Sequence, residues 1–78
     1  MSTATDHSAL VSRAVLDVLG HPRYRGAYLP AWRISEATGM PLTPSIVGRS
    51  LQSLAAEGRV ERRRRNAKQM EWRLAPPS

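Results

Sequence analysis

The chain is 78 residues long with a formal net charge of +6 and a sequence pI of about 11.4. That length fits one domain, and a domain of this size hides only about 60% of the surface its unfolded chain exposes, so a large catalytic cleft is not expected. Without cysteine there is no disulfide framework or thiolate metal site, and no apolar run approaches the ~18 residues that would span a bilayer.

In chain order, residues 1–7 read as a flexible N-terminus, residues 8–75 as the domain and residues 76–78 as a tail. A first helix is expected over about residues 9–19, capped by Ser8 or Asp6. Val11, Ala14, Val15 and Val18 form its inward stripe, and Gly20 and Pro22 end it. Leu10, Leu16 and Leu19 widen that stripe. They either complete the core or form a dimer seam, because surplus apolar area marks partner surfaces. Next comes a basic loop with Arg23 and Arg25, then Ala27-Tyr28-Leu29, which reads as a short strand pairing with a later hairpin. A second helix is expected over residues 30–38, with Ile34 and Ala37 inside and Trp32 and Leu29 flanking them. Gly39 ends it.

Residues 43–57 form the clearest helix. Thr43 is a good N-cap, and Pro44 at the first helical position gives up only an N–H that has no helical partner. Val47, Leu51 and Leu54 recur on one face of a 3.6-residue period. Ser45, Arg49, Gln52 and Ala56 take the opposite face, with Ile46, Gly48 and Ser53 beside them. That outward face is short, polar and free of acid until Glu57, whereas a merely solvated helix usually mixes both signs. Gly58 supplies the stop.

A hairpin over residues 60–74 follows with period two. Val60 and Arg62 point one way, Glu61 and Arg63 the other. On the return strand Met70, Trp72 and Leu74 share an apolar face that can close over the helix, while Glu71 and Arg73 share the other. Arg64, Arg65, Asn66, Ala67 and Lys68 are expected to form a basic tip. Consecutive arginines repel one another, so the run reads as a freely solvated loop or as a surface for an external polyanion. Lys68 is the only lysine; all other positive side chains are arginines. Arginine favours phosphate and guanine through its planar fork, although GC-rich coding would raise the same ratio.

No catalytic constellation is visible. His7 and His21 are far apart and lack ligand-spaced companions, so no metal is expected. Asp6, Asp17, Glu36, Glu57, Glu61 and Glu71 are scattered without an acid–base pair, and no glycine-rich loop cradles phosphate. No enzyme and no cofactor are expected. The N-terminus lacks an export pattern, so a cytoplasmic, nucleoid-associated location is expected.

The order helix, short strand, helix, turn, helix, basic two-stranded hairpin resembles a winged helix-turn-helix domain, an α+β fold of three helices, a small antiparallel sheet and a β-hairpin wing. Its pattern is nearest to small bacterial regulators of the MarR and related types. The resemblance rests on Ala37-Thr38-Gly39, on Val47, Leu51 and Leu54, on the passage Leu54, Gly58, Val60, Arg62, and on Met70, Trp72 and Leu74. It covers about residues 9–74. MarR-type proteins add terminal helices that dimerise and hold a ligand pocket; 78 residues leave no room for them, so no small-molecule ligand is expected. Domains that bind left-handed nucleic acid also carry a wing tryptophan. Where they have an Asn and a Tyr on the recognition helix, however, this chain has Gly48 and Gln52, and their wing prolines are missing.

The resemblance implies sequence-specific binding of double-stranded DNA, as in a small transcriptional regulator, with helix 43–57 in the major groove. Arg49 then reads a guanine edge, Gln52 an adenine or a phosphate, and Thr43, Ser45 and Ser53 support the contact. Gly48 either allows close approach or is idle. Arg63, Arg64, Arg65 and Lys68 track the backbone or enter the minor groove, and Arg33 is a further phosphate candidate. Arg62, facing the way Val60 faces, either joins them or covers the core with its stem. Trp72 alternates with core residues and is expected inside. One such helix reads few base pairs, so a homodimer through the first helix or the termini is expected. The alternatives are an architectural or DNA-processing accessory protein of phage or plasmid type, and a protein-interaction winged helix that docks an acidic partner.

Overall fold

The computed structural model of the chain describes residues 3–76, with side chains from Ser8 onward. Of the expected flexible N-terminus, residues 1–7, and tail, residues 76–78, Met1, Ser2, Pro77 and Ser78 lie outside the described residues. Three helices and three strands follow in the order α1 (Thr3–Gly20), β1 (Leu29–Pro30), α2 (Ala31–Ala37), α3 (Pro44–Ala56), β2 (Val60–Asn66) and β3 (Gln69–Leu74). The strands form one antiparallel sheet in the order β1-β3-β2, so the fold is a small α+β arrangement with β3 in the middle. Among the described residues no helix is long and apolar enough to cross a membrane.

α3 is built as its sequence dictates. The Thr43 hydroxyl accepts a hydrogen bond from the Ile46 amide at 3.2 Å, and Pro44 opens the first turn. Two reciprocal bonds close the other end: Arg59 N donates to Leu54 O at 2.9 Å and Gly58 N to Ala55 O at 3.0 Å. That pairing requires a left-handed residue at Gly58, whose φ is 78°. Thr43→Ala removes the N-terminal acceptor and is expected to cost about 1 kcal/mol, read as a lower denaturant midpoint at unchanged slope.

Val47, Leu51 and Leu54 lie inside, packed with Val11, Val15, Val18 and Leu19 of α1, Ile34 of α2, and Leu29, Val60 and Trp72 of the sheet. Leu19 is buried and Leu16 packs on the core, so the wide apolar stripe of α1 serves the core; Leu10 alone stands out, 59% exposed. α1 and α3 also share a polar contact that periodicity did not predict. Ser50 is buried and its hydroxyl lies 2.8 Å from that of Ser12, which meets its polar demand.

Three boundaries differ from expectation. α1 starts at Thr3 rather than about Ala9, so Asp6 and Ser8 lie within it instead of capping it. Residues 3–8 hold neither glycine nor proline, and an acid near a helix start is favourable. The short strand is Leu29–Pro30, not residues 27–29. Leu29 pairs with Trp72 and Pro30 with Glu71, at a sheet edge where a missing N–H is tolerated. The same Pro30, with ψ 158°, is the N-cap of α2, which therefore starts at Ala31 and ends at Ala37.

Candidate nucleic-acid interface

The outward ridge of α3 carries Ser45, Arg49, Gln52 and Ser53, all exposed. Thr43 is exposed too, but its hydroxyl is engaged as the helix cap. The ridge has a hollow on each side. One separates it from the N-terminal half of α1 and is lined by Ser8, Val11, Ile46, Arg49, Ser50 and Ser53. The other separates it from the end of the hairpin and brings Gln52 and Gly48 together with Trp32, Lys68, Gln69 and Met70. A Cβ added at Gly48 would meet no atom within 4 Å, so its missing side chain leaves that hollow open. Glu57 is the only acid at the end of the ridge, and its carboxylate lies 4.0 Å from the Arg59 guanidinium. Both side chains are well exposed, so the pair holds little energy.

The hairpin divides its arginines in a way the sequence reading did not foresee. β2 runs to Asn66, so Arg64 and Arg65 belong to the strand rather than to a loop at its tip. Arg62 pairs with Trp72 and Arg64 with Met70, which places both on the sheet face that covers the helices. Arg63 pairs with Glu71 on the opposite face. Arg65, two residues further along the same strand, shares that side by alternation. There the Arg63 Nε donates to Glu71 Oε1 at 3.1 Å, and an Arg65 terminal nitrogen lies 3.6 Å from Oε2.

Glu71 itself is buried, 5% exposed. Two guanidiniums therefore neutralise a carboxylate that is otherwise costly to bury. The four consecutive arginines are thus not all turned toward an external partner: Arg63 and Arg65 have an internal one. A guanidinium has five donors, and the Arg63 hydrogen bond occupies only Nε, so an external acceptor can still be engaged from the same side chain.

Tyr28 completes this outer face. Its ring lies under the Arg63 guanidinium at 4.1 Å and the Arg73 guanidinium at 4.8 Å, both within cation–π range. Arg73 in turn binds Glu61 Oε1 through Nε at 2.7 Å. That hydrogen bond raises the Arg73 pKa above its ordinary value, outweighing the opposing effect of desolvation.

The remaining cations are differently placed. Arg33, Arg49, Arg62, Arg64 and Lys68 have no carboxylate within 4.0 Å among the described residues. Lys68 is held by its own turn: Asn66 Oδ1 accepts from the Lys68 amide at 2.8 Å, which fixes the short connection between β2 and β3. Arg33 is exposed on α2 but lines neither hollow.

Two residues were underrated by sequence. Arg62, set between two roles, is exposed and lies beside Arg64 on the helix side of the sheet. Trp32, read as a flank of the core, is 48% exposed beside the hairpin turn; Trp72, expected inside, is buried. A signal for Trp32 existed: it lies two residues before Ile34 in a short helix, a spacing that puts the two on different sides. Among the described residues no three His, Asp or Glu side chains converge as a metal site would require. Comparison of the chain with protein-family models, with curated proteins and with solved structures finds no match.

Proposed function

We propose that this protein binds double-stranded DNA in a sequence-specific way, as a small transcriptional regulator of winged helix-turn-helix architecture. In this reading α3 is the recognition helix and enters the major groove, and β2 and β3 form a wing over the adjacent backbone or minor groove. The observation that carries it is one of charge and shape together. An exposed ridge without acid lies beside a hairpin whose Arg62, Arg64 and Lys68 have no carboxylate partner among the described residues. Repulsion among these groups is relieved by a polyanion. Arg49 and Gln52 are the base-reading pair, with Ser45 and Ser53 beside them. Arg64, Lys68 and the outer donors of Arg63 and Arg65 meet phosphates.

Part of the arginine content has a second use. β2 is a sheet edge, and charged side chains on an edge discourage pairing with another chain. A salt series separates the two uses. If Z phosphates are neutralised, log affinity for duplex DNA falls against log salt with a slope of about −0.9Z. Steep slopes with preference among sequences selected from random duplexes support the proposal. A steep slope without preference favours an architectural or DNA-processing role, and a slope near zero on every duplex favours docking of an acidic protein. Arg64→Ala should weaken all sequences alike and reduce the slope by about one.

A further inference from the structure

Trp32 lies between α3 and the hairpin turn. Its indole lines two adjoining hollows. One reaches the turn at Asn66, Ala67, Lys68 and Gln69, and the other reaches Gly48 and Gln52 on α3. Nearly half the side chain's residue surface is open, although burying an indole is strongly favourable. The α3 hollow is open to solvent and has a volume of about 320 Å³.

Its lining is specific in chemistry. Pro44, Met70 and the indole supply apolar surface. The amides of Gln52 and Gln69 each offer a donor and an acceptor, the pairing a nucleobase edge presents. Lys68 adds a positive charge at the rim, and no described carboxylate offsets it. Gly48 leaves space open over the helix. A base stacked in a duplex shows only its edge to a protein; an unstacked base also shows its face, which is what an exposed indole binds.

The geometry points to a second, structure-specific binding site: the hollow between Trp32, Gly48 and Lys68 takes one unpaired nucleobase, stacked on Trp32 and read at its edge by Gln52 or Gln69. This inference rests on the DNA-binding reading of the same face. It makes the preferred ligand a duplex that carries an extrahelical or single-stranded nucleotide, such as a short flap or a bulge, rather than a continuous duplex.

The test uses the full chain and three DNA probes of one sequence: a continuous duplex, the same duplex with a three-nucleotide single-stranded flap, and the flap strand alone. Trp32 and Trp72 are the only tryptophans and both border the hollow, Trp32 exposed and Trp72 buried, so a base stacked on Trp32 lowers the total tryptophan emission. The flap duplex is expected to bind about 5- to 150-fold more tightly than the continuous one, the range for one base on one aromatic ring. Trp32→Ala should erase that gain in affinity and leave continuous-duplex binding in place. Trp32→Phe should retain part of the gain, and unchanged circular dichroism in both variants shows that they fold.

The outcomes separate the two claims. Duplex binding with no gain from the flap overturns the nucleobase site and leaves the duplex reading standing. An equal loss on all probes in Trp32→Ala assigns Trp32 to the sugar–phosphate backbone and also overturns the site. A gain on the flap strand alone, without duplex binding, supports the site and removes the duplex reading. Binding to none of the probes overturns both.

Discussion

Leu51→Ala is expected to destabilise the protein by about 2–5 kcal/mol, the range for removing a leucine that a core cannot collapse around. Leu51 is 0% exposed and lies at the middle of α3, where α1, α2 and the sheet all meet it in one cluster. A domain of this size has only the lower part of the usual ~5–15 kcal/mol to lose, so the variant should melt well below the native protein. Urea denaturation followed by far-UV circular dichroism reads the effect as a fall in midpoint at constant slope. Gln52→Ala, one position along on the opposite ridge, is the matched control and should stay within about 0.5 kcal/mol. Equal effects of the two substitutions would mean that α3 is not packed through Val47, Leu51 and Leu54. In that case the ridge assigned to DNA is on the wrong side.

The contrast between these neighbours shows why α3 was legible before any coordinates. Cap, proline, apolar period and terminal glycine are each local, and all four agree on the same thirteen-residue helix. The faces of residues 60–63 and 70–74 were legible for the same reason, since alternation fixes them once the strand is assigned, whereas Arg64 and Arg65, read as a tip, had no assigned face. What alternation cannot supply is the partner across the sheet. Arg63 meets Glu71 and Glu61 meets Arg73 only because the turn sits at residues 66–69, and the extension of β2 to Asn66 keeps Arg65 on the face of Arg63. That placement changes the electrostatic meaning of the arginine run. Two of its members balance a buried acid, and Arg62 and Arg64 do not.

The missed features are likewise those that depend on distance in space. α1 lacks an early stop, so its start could not be read from punctuation. α2 has only seven residues, so the Trp32–Ile34 spacing, which puts the two on different sides, is a single weak signal against the large apolar side chain that reads as a flank of the core. Tyr28 reads from sequence only as part of a short strand pairing with the hairpin; its place between Arg63 and Arg73 arises from the sheet order, which puts β1 against β3. The candidate site therefore divides into a part carried by one helix, readable from residues 43–57, and a part assembled from α2, α3 and the hairpin, which only the fold brings together.

Arg49→Ala is expected to weaken binding to the preferred duplex by ~1–3 kcal/mol and to relax base preference at one position. The side chain is exposed on the outward ridge, has no carboxylate within 4.0 Å among the described residues, and borders the hollow facing α1. Its fork is therefore available for the paired acceptors of a guanine edge. Arg49→Lys separates charge from geometry. It preserves the positive charge and hence the salt slope, but it cannot make the parallel pair of hydrogen bonds, so discrimination should fall nearly as far as with alanine. Arg64→Ala supplies the opposite profile, a lower slope with base preference intact. Competition titrations on the selected duplex and on its three single-base variants at each position read both quantities in one series. If Arg49→Ala and Arg64→Ala gave the same profile, the ridge and the hairpin would share one sequence-blind role, and a polyelectrolyte surface without a reading head would be the better description of the protein.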